Sequence, residues 1–133
     1  MKKTYKGSCH CGAVTFEAGM DLTKGSFKCN CLICAKSRGW LSLCAPEDFK
    51  LLTGEKDLTD YHYREDSAHH VFCKHCGVRS YGWKEIPGMG KRIAVRLNCL
   101  DDVSDAELAA IPVTHVDGRS GDFKKKPDVV AHL

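Results

Sequence analysis

Two short cysteine pairs, each followed by a glycine, constrain this chain more than any other feature. They are Cys9-His10-Cys11-Gly12 and Cys73-Lys74-His75-Cys76-Gly77, with Cys73 lying 62 positions after Cys11. A metal knuckle bends the backbone so that amides point at sulfur, and the turn after the second ligand favours a residue that adopts positive φ cheaply. Two knuckles supply the four soft ligands of a tetrahedral structural zinc site. Cys9, Cys11, Cys73 and Cys76 are therefore expected to share one ion. That ion would staple the N-terminal strand to a hairpin far along the chain.

A third group, Cys29-Asn30-Cys31-Leu32-Ile33-Cys34, offers three thiols at C-x-C-x-x-C spacing and is followed by Ala35 rather than glycine. Three ligands suit a catalytic zinc with an exchangeable fourth position. They also suit a closed site completed by Cys44, Cys99 or a histidine, or a redox thiol group. Spacing leaves these readings open, and it also admits a swapped pairing of Cys31 and Cys34 with Cys9 and Cys11. Cys44 and Cys99 lie in or at the end of alternating strands and read as small core residues. His10 and His75 read as solvent-facing spacers. His69 and His70 face opposite sides of one strand, so one of them is placed to approach a site. Lys36 and Arg38 follow the three thiols closely enough to hold an anionic substrate.

Nine cysteines in 133 residues also admit a disulfide framework. The start, Met1-Lys2-Lys3-Thr4-Tyr5, carries no apolar run, so neither a signal peptide nor a membrane span is expected and the location expected is cytoplasmic. Metal binding is then the stronger reading of the thiols. The formal charge of +3 suggests an anionic partner only until the metals are counted. Seven ligand thiolates and two zinc ions bring it to about 0. The one basic run, Lys124-Lys125-Lys126, reads as a solvated tail rather than a nucleic-acid footprint.

Hydrophobic periodicity is mostly that of strands. Val14, Phe16 and Ala18 share one face, as do Ile93, Val95 and Leu97, and Trp40 to Cys44 alternates. Further strands are expected at Thr4–Cys9, at Phe49–Thr53 and Leu58–Arg64 joined through Gly54, and on both sides of the second knuckle, Ala68–Cys73 and Val78–Trp83. A strand over Ser26–Asn30 is expected to deliver Cys29 and Cys31 to the same face. Cys34–Arg38 suits one helical turn. Ser104-Asp105-Ala106-Glu107 is a capping box and predicts a short helix over Asp105–Ala110. Beyond Pro112 the sequence reads as a turn at Asp117-Gly118-Arg119 and a polar tail. The sum is many short strands, one modest helix and two knuckles, which predicts a single mainly β, sandwich-like domain over residues 1–133.

The three cysteine motifs, in this order, resemble those of the glutathione-dependent formaldehyde-activating enzyme family, which includes the centromere protein V group. The resemblance is carried by Gly7-Ser8-Cys9-His10-Cys11-Gly12-Ala13-Val14, Cys29 to Cys34, and Phe72-Cys73-Lys74-His75-Cys76-Gly77-Val78. Asn98-Cys99-Leu100-Asp101-Asp102 is similar to that family's later strand end. It spans about Gly7 to Asp102 and implies a fold of short coiled sheets like the Mss4-like zinc-binding domains. It also implies a structural zinc on Cys9, Cys11, Cys73 and Cys76 and a labile, activity-linked zinc on Cys29, Cys31 and Cys34. The activity implied is that of a carbon-sulfur lyase, joining glutathione and formaldehyde as S-hydroxymethylglutathione.

On this reading Cys29, Cys31 and Cys34 are the catalytic residues, and Lys36 and Arg38 hold glutathione carboxylates. The partners are a small thiol and a small aldehyde, with no nucleic acid and no membrane. Self-association as a homodimer is left open. The rival reading is a non-catalytic, zinc-stabilised protein-binding module.

Overall fold

The computed structural model covers residues 1–133 and is mainly β. Ten strands run in chain order: β1 (Lys3–Ser8), β2 (Thr15–Met20), β3 (Ser26–Cys29), β4 (Leu41–Cys44), β5 (Phe49–Thr53), β6 (Leu58–Tyr61), β7 (His69–Cys73), β8 (Tyr81–Ile86), β9 (Gly90–Arg96) and β10 (Val113–Val116). Two short helices, α1 (Leu32–Ser37) and α2 (Asp105–Ala110), interrupt them. The strands form two sheets, β1-β2-β5 and β10-β3-β4-β9-β8-β7-β6. β4 links β3 to the β9-β8-β7-β6 ladder, so the second of these sheets is continuous. All pairings are antiparallel except β10 with β3, which is parallel.

The core lies between the sheets. Phe16 and Ala18 on β2 are fully buried and meet Val95 from β9 and Leu97 just beyond its end, with Cys44, Cys99, Leu100 and Ile111 closing the cluster. Alternation decides this: each strand turns every second residue inward, and those residues are apolar. A smaller cluster holds Cys9, Val14 and Cys73 together and is lined by Leu51, Leu58 and Val78. It forms the apolar floor under the first two cysteine pairs.

α2 begins at Ser104, whose hydroxyl accepts from the Glu107 amide while the Glu107 carboxylate accepts from the Ser104 amide. This is the capping box read from sequence, and the helix has the predicted bounds. Elsewhere the ends move. β6 stops at Tyr61 rather than Arg64, and β5 and β6 belong to different sheets, so the turn around Gly54 passes the chain between sheets instead of closing a hairpin.

Two differences matter for the site. The strand expected to carry both Cys29 and Cys31 ends at Cys29; Asn30 turns the chain, and Cys31 becomes the N-cap of α1. α1 also starts two residues earlier than the expected turn, at Leu32. The segment after Pro112, expected to be only turn and tail, contributes β10. Its parallel pairing with β3 places Val116 opposite Cys29.

Candidate metal and active site

Cys9 and Cys11 follow the end of β1. Cys73 ends β7, and Cys76 closes the turn before β8. Gly12 and Gly77 both have positive φ, 83° and 76°, as the knuckle turn requires. The glycines free the next amides to reach back, so Ala13 and Val78 donate to the sulfurs of Cys11 and Cys76. Val14 likewise donates to Cys9 at 3.4 Å. Hydrogen bonds from the Cys11 and Val78 amides pull the Cys76 thiol down to about 6.

All four sulfurs converge. Cys9 and Cys11 Sγ are 3.7 Å apart and Cys11 and Cys73 Sγ are 3.6 Å apart. A tetrahedral zinc with 2.3 Å bonds places its sulfurs about 3.8 Å from one another. A disulfide would need about 2.05 Å. The donor set and its spacing therefore fit a closed zinc site, with Cys9 and Cys73 buried and Cys11 exposed.

Cys29, Cys31 and Cys34 form a second, separate group, with their sulfurs within 4.8 Å of one another. β3 delivers Cys29, the N-terminus of α1 delivers Cys31, and Cys34 follows three residues later on the same side of the helix. All three are half-buried. No fourth Cys, His, Asp or Glu joins them at that spacing. Cys44 and Cys99 lie in the core, and the Cys9–Cys11 pair is not shared with this group. The sulfurs share hydrogen bonds and charge. Hydrogen bonds with Cys29 and Cys34 drive the Cys31 thiol far down, while those with Cys29 and Cys31 push Cys34 up. The Cys31 amide also donates to Cys29 Sγ at 3.3 Å.

The walls of this second site come from distant segments. β10 leads into the Asp117–Arg119 turn, which lies against the sulfurs. Buried Asn30 donates through Nδ2 to Asp117 at 2.8 Å and accepts from the Arg119 amide at 3.0 Å. A Cβ at Gly118 would stand 2.4 Å from Cys29 Sγ. Beside Asn30 a polar cleft of about 220 Å³ opens between this turn and the tail, lined by Arg119, Asp128 and His132.

On the other side, Arg79 donates to Ser37 Oγ on α1 at 3.3 Å and to His70 Nδ1. His70 is therefore the member of its pair nearer the three-sulfur site, and burial with the Arg79 charge lowers it to about 4. His69 turns the other way, stacking on Trp83 and pairing with Asp60. His10 and His75 are both exposed, His75 bonding Asp57. Lys36 and Arg38 are exposed at the C-terminal end of α1, Arg38 in the left-handed conformation that ends the helix.

Sequence reasoning missed Asn30, Arg79, Asp117 and Gly118 as site residues. Only the proximity of Asn30 to the thiols in sequence gave any signal for them.

The family model described as glutathione-dependent formaldehyde-activating enzyme matches residues 4–116. The chain belongs to this family. Its fold is also similar to the crystal structure of a Rhodobacter sphaeroides protein solved by structural genomics, with a TM-score of 0.69 and 26% identity over 82% of this chain and 99% of that one. The family ties the chain to glutathione and formaldehyde chemistry. No helix is long and apolar enough to cross a membrane.

Proposed function

We propose that this protein is a carbon-sulfur lyase-type enzyme that joins a thiol, glutathione in the family's named reaction, to a small aldehyde such as formaldehyde. The observation that carries this is the contrast between the two cysteine groups. One presents four converging sulfurs, and the other presents three with no fourth protein ligand. Cys9, Cys11, Cys73 and Cys76 would hold a structural zinc, and Cys29, Cys31 and Cys34 a labile one.

A zinc held there would supply thiol activation, because coordination lowers a thiol pKa from about 8.5 to well below neutrality. The three cysteines fix the direction from which a fourth ligand enters. The Asp117–Arg119 turn closes one flank of the site and the Arg79 side the other. In the reaction a new C–S bond forms as the carbonyl π bond breaks, and the carbonyl oxygen takes a proton from solvent. The reverse releases aldehyde and thiol. Lys36 and Arg38, exposed at the rim, are placed to meet the carboxylates of a peptide thiol arriving from solvent.

The test is turnover of glutathione and formaldehyde by Cys31→Ser, with folding checked by circular dichroism. Loss of turnover in a folded variant is the expected result. A folded variant with undiminished turnover would end the proposal and favour the scaffold reading, in which both zincs leave only on unfolding.

A further inference from the structure

Two arginines behind the three-sulfur site lack the partners that buried arginines need. Arg96, at the end of β9, is 6% exposed and its guanidinium makes neither an ion pair nor a side-chain hydrogen bond. It lies directly under Gly39, where an added Cβ would stand 2.5 Å from Nη1. Gly39 itself donates to the Cys34 carbonyl at 3.3 Å, so Arg96 sits at the end of the helix that carries Cys31 and Cys34. Arg79 comes to the same helix from the segment before β8, through Ser37. Its Nε is buried without a partner, and so is the adjacent Ser80 Oγ. The Arg96 amide donates to the Ser80 carbonyl at 2.9 Å, and the Arg96 charge acts on Arg79, so the two guanidiniums stand near each other.

Burying a guanidinium without a counter-charge costs several kcal/mol, so uncompensated cations seldom persist without an anion to meet them. No Asp or Glu pairs with either arginine. The nearest negative charges are the thiolates of the three-sulfur group: Cys34 and Cys31 oppose the effect of burial on Arg79, and Cys34 opposes it on Arg96. Arg79 holds Ser37 and His70 through its two Nη groups, so the free donors are its Nε and the Arg96 guanidinium; planar guanidinium donors match a carboxylate better than any other small anion of a thiol or an aldehyde.

We propose that Arg79 and Arg96 form a carboxylate-binding corner beside Cys29, Cys31 and Cys34, so that the molecule reacting there carries a carboxylate as well as its thiol or carbonyl group. This rests on the reading of the three sulfurs as the reaction centre. It sets a second pair of cations behind the site, beside the reacting group, in addition to Lys36 and Arg38 at the exposed end of α1. It also predicts a preference that uncharged formaldehyde or a simple alcohol-bearing thiol does not satisfy.

The experiment follows the arginine Nε–H resonances of the full zinc-loaded chain by NMR while acetate is added, with acetamide as the uncharged control. Saturable shifts of the Arg79 and Arg96 signals with acetate alone are expected. Arg79→Gln should raise the half-saturating acetate concentration at least about tenfold, the worth of one charge-assisted hydrogen bond. Because Arg96 is buried, Arg96→Lys replaces the charge-removing change there, and the wild-type titration decides without either variant.

Competition against acetate then compares 3-mercaptopropionate with 2-mercaptoethanol, and glyoxylate with formaldehyde. Displacement by 3-mercaptopropionate at the lower concentration puts the carboxylate on the thiol, and displacement by glyoxylate puts it on the carbonyl compound. Neither displacing better than acetate overturns the link to the reacting molecule. Arginine signals that ignore acetate and move only when zinc is removed overturn the corner itself, leaving the arginines as counter-charges for the thiolates. Acetate binding that persists in an enzyme without turnover would sink the lyase reading and leave the corner standing.

Discussion

Gly118→Ala isolates the role of the C-terminal turn in the three-sulfur site. Gly118 does not have positive φ, so alanine introduces no backbone strain there and tests the contact alone. The added Cβ would stand 2.4 Å from Cys29 Sγ and 3.2 Å from Cys31 Cβ. Ordinary contact between such atoms needs about 3.5 Å or more, so the sulfur has to retreat by about 1 Å. A zinc site tolerates about 0.2 Å in its ligand distances. The substitution should therefore cost the second site one ligand while the first, a separate group of four sulfurs, stays intact. Disturbing groups around a metal site costs 10–100-fold in affinity, and displacing a ligand should reach at least the upper figure, about 100-fold. The assay is zinc release to a chromophoric chelator, counted per chain, beside thermal unfolding followed by far-UV circular dichroism. One zinc should leave at about a hundredfold lower chelator concentration, with the second unchanged. A variant that holds both ions as tightly as the wild type would refute the contact as the device that positions Cys29.

Three further outcomes are expected. Cys73→Ser removes a fully buried ligand from the four-sulfur site; since structural zinc in zinc-finger peptides contributes about 10–16 kcal/mol, the variant should lose its cooperative melt by calorimetry. His70, lowered to about 4 by burial and by the Arg79 charge, stays neutral in the native state while the unfolded chain protonates near 6.5. The unfolded state then binds more protons between those values, so stability is full above pH 6.5 and falls toward pH 4, and His70→Gln should flatten that slope in thermal melts. Ser104→Ala deletes the α2 cap and should cost about 1 kcal/mol by urea unfolding with turnover unchanged, because that helix lies outside both cysteine groups.

Much of the architecture was legible because its signals are local. Val14, Phe16 and Ala18 alternate with polar neighbours, and all three are fully buried. The capping box named the bounds of α2, and two knuckle glycines marked which cysteine pairs belong together. The misread elements failed for identifiable reasons. Cys29 and Cys31 suit a strand by spacing, but the buried hydrogen bonds of Asn30 to Asp117 and Arg119 hold the chain in a turn between them. β10 has weak apolar content and reads as tail until β3 offers it an unpaired edge.

From residue order alone came the donor chemistry: seven thiols in three groups, their spacing, and the glycines that let two of those groups close. Backbone sterics and sulfur's preference for zinc act over a few residues, so neighbouring positions encode them. The folded chain decided what surrounds the three remaining sulfurs. Asp117 meets Asn30 across 87 positions and Arg79 meets Ser37 across 42. Such contacts depend on which strands pair and in what register, and that choice is made by the whole buried surface rather than by any stretch of sequence.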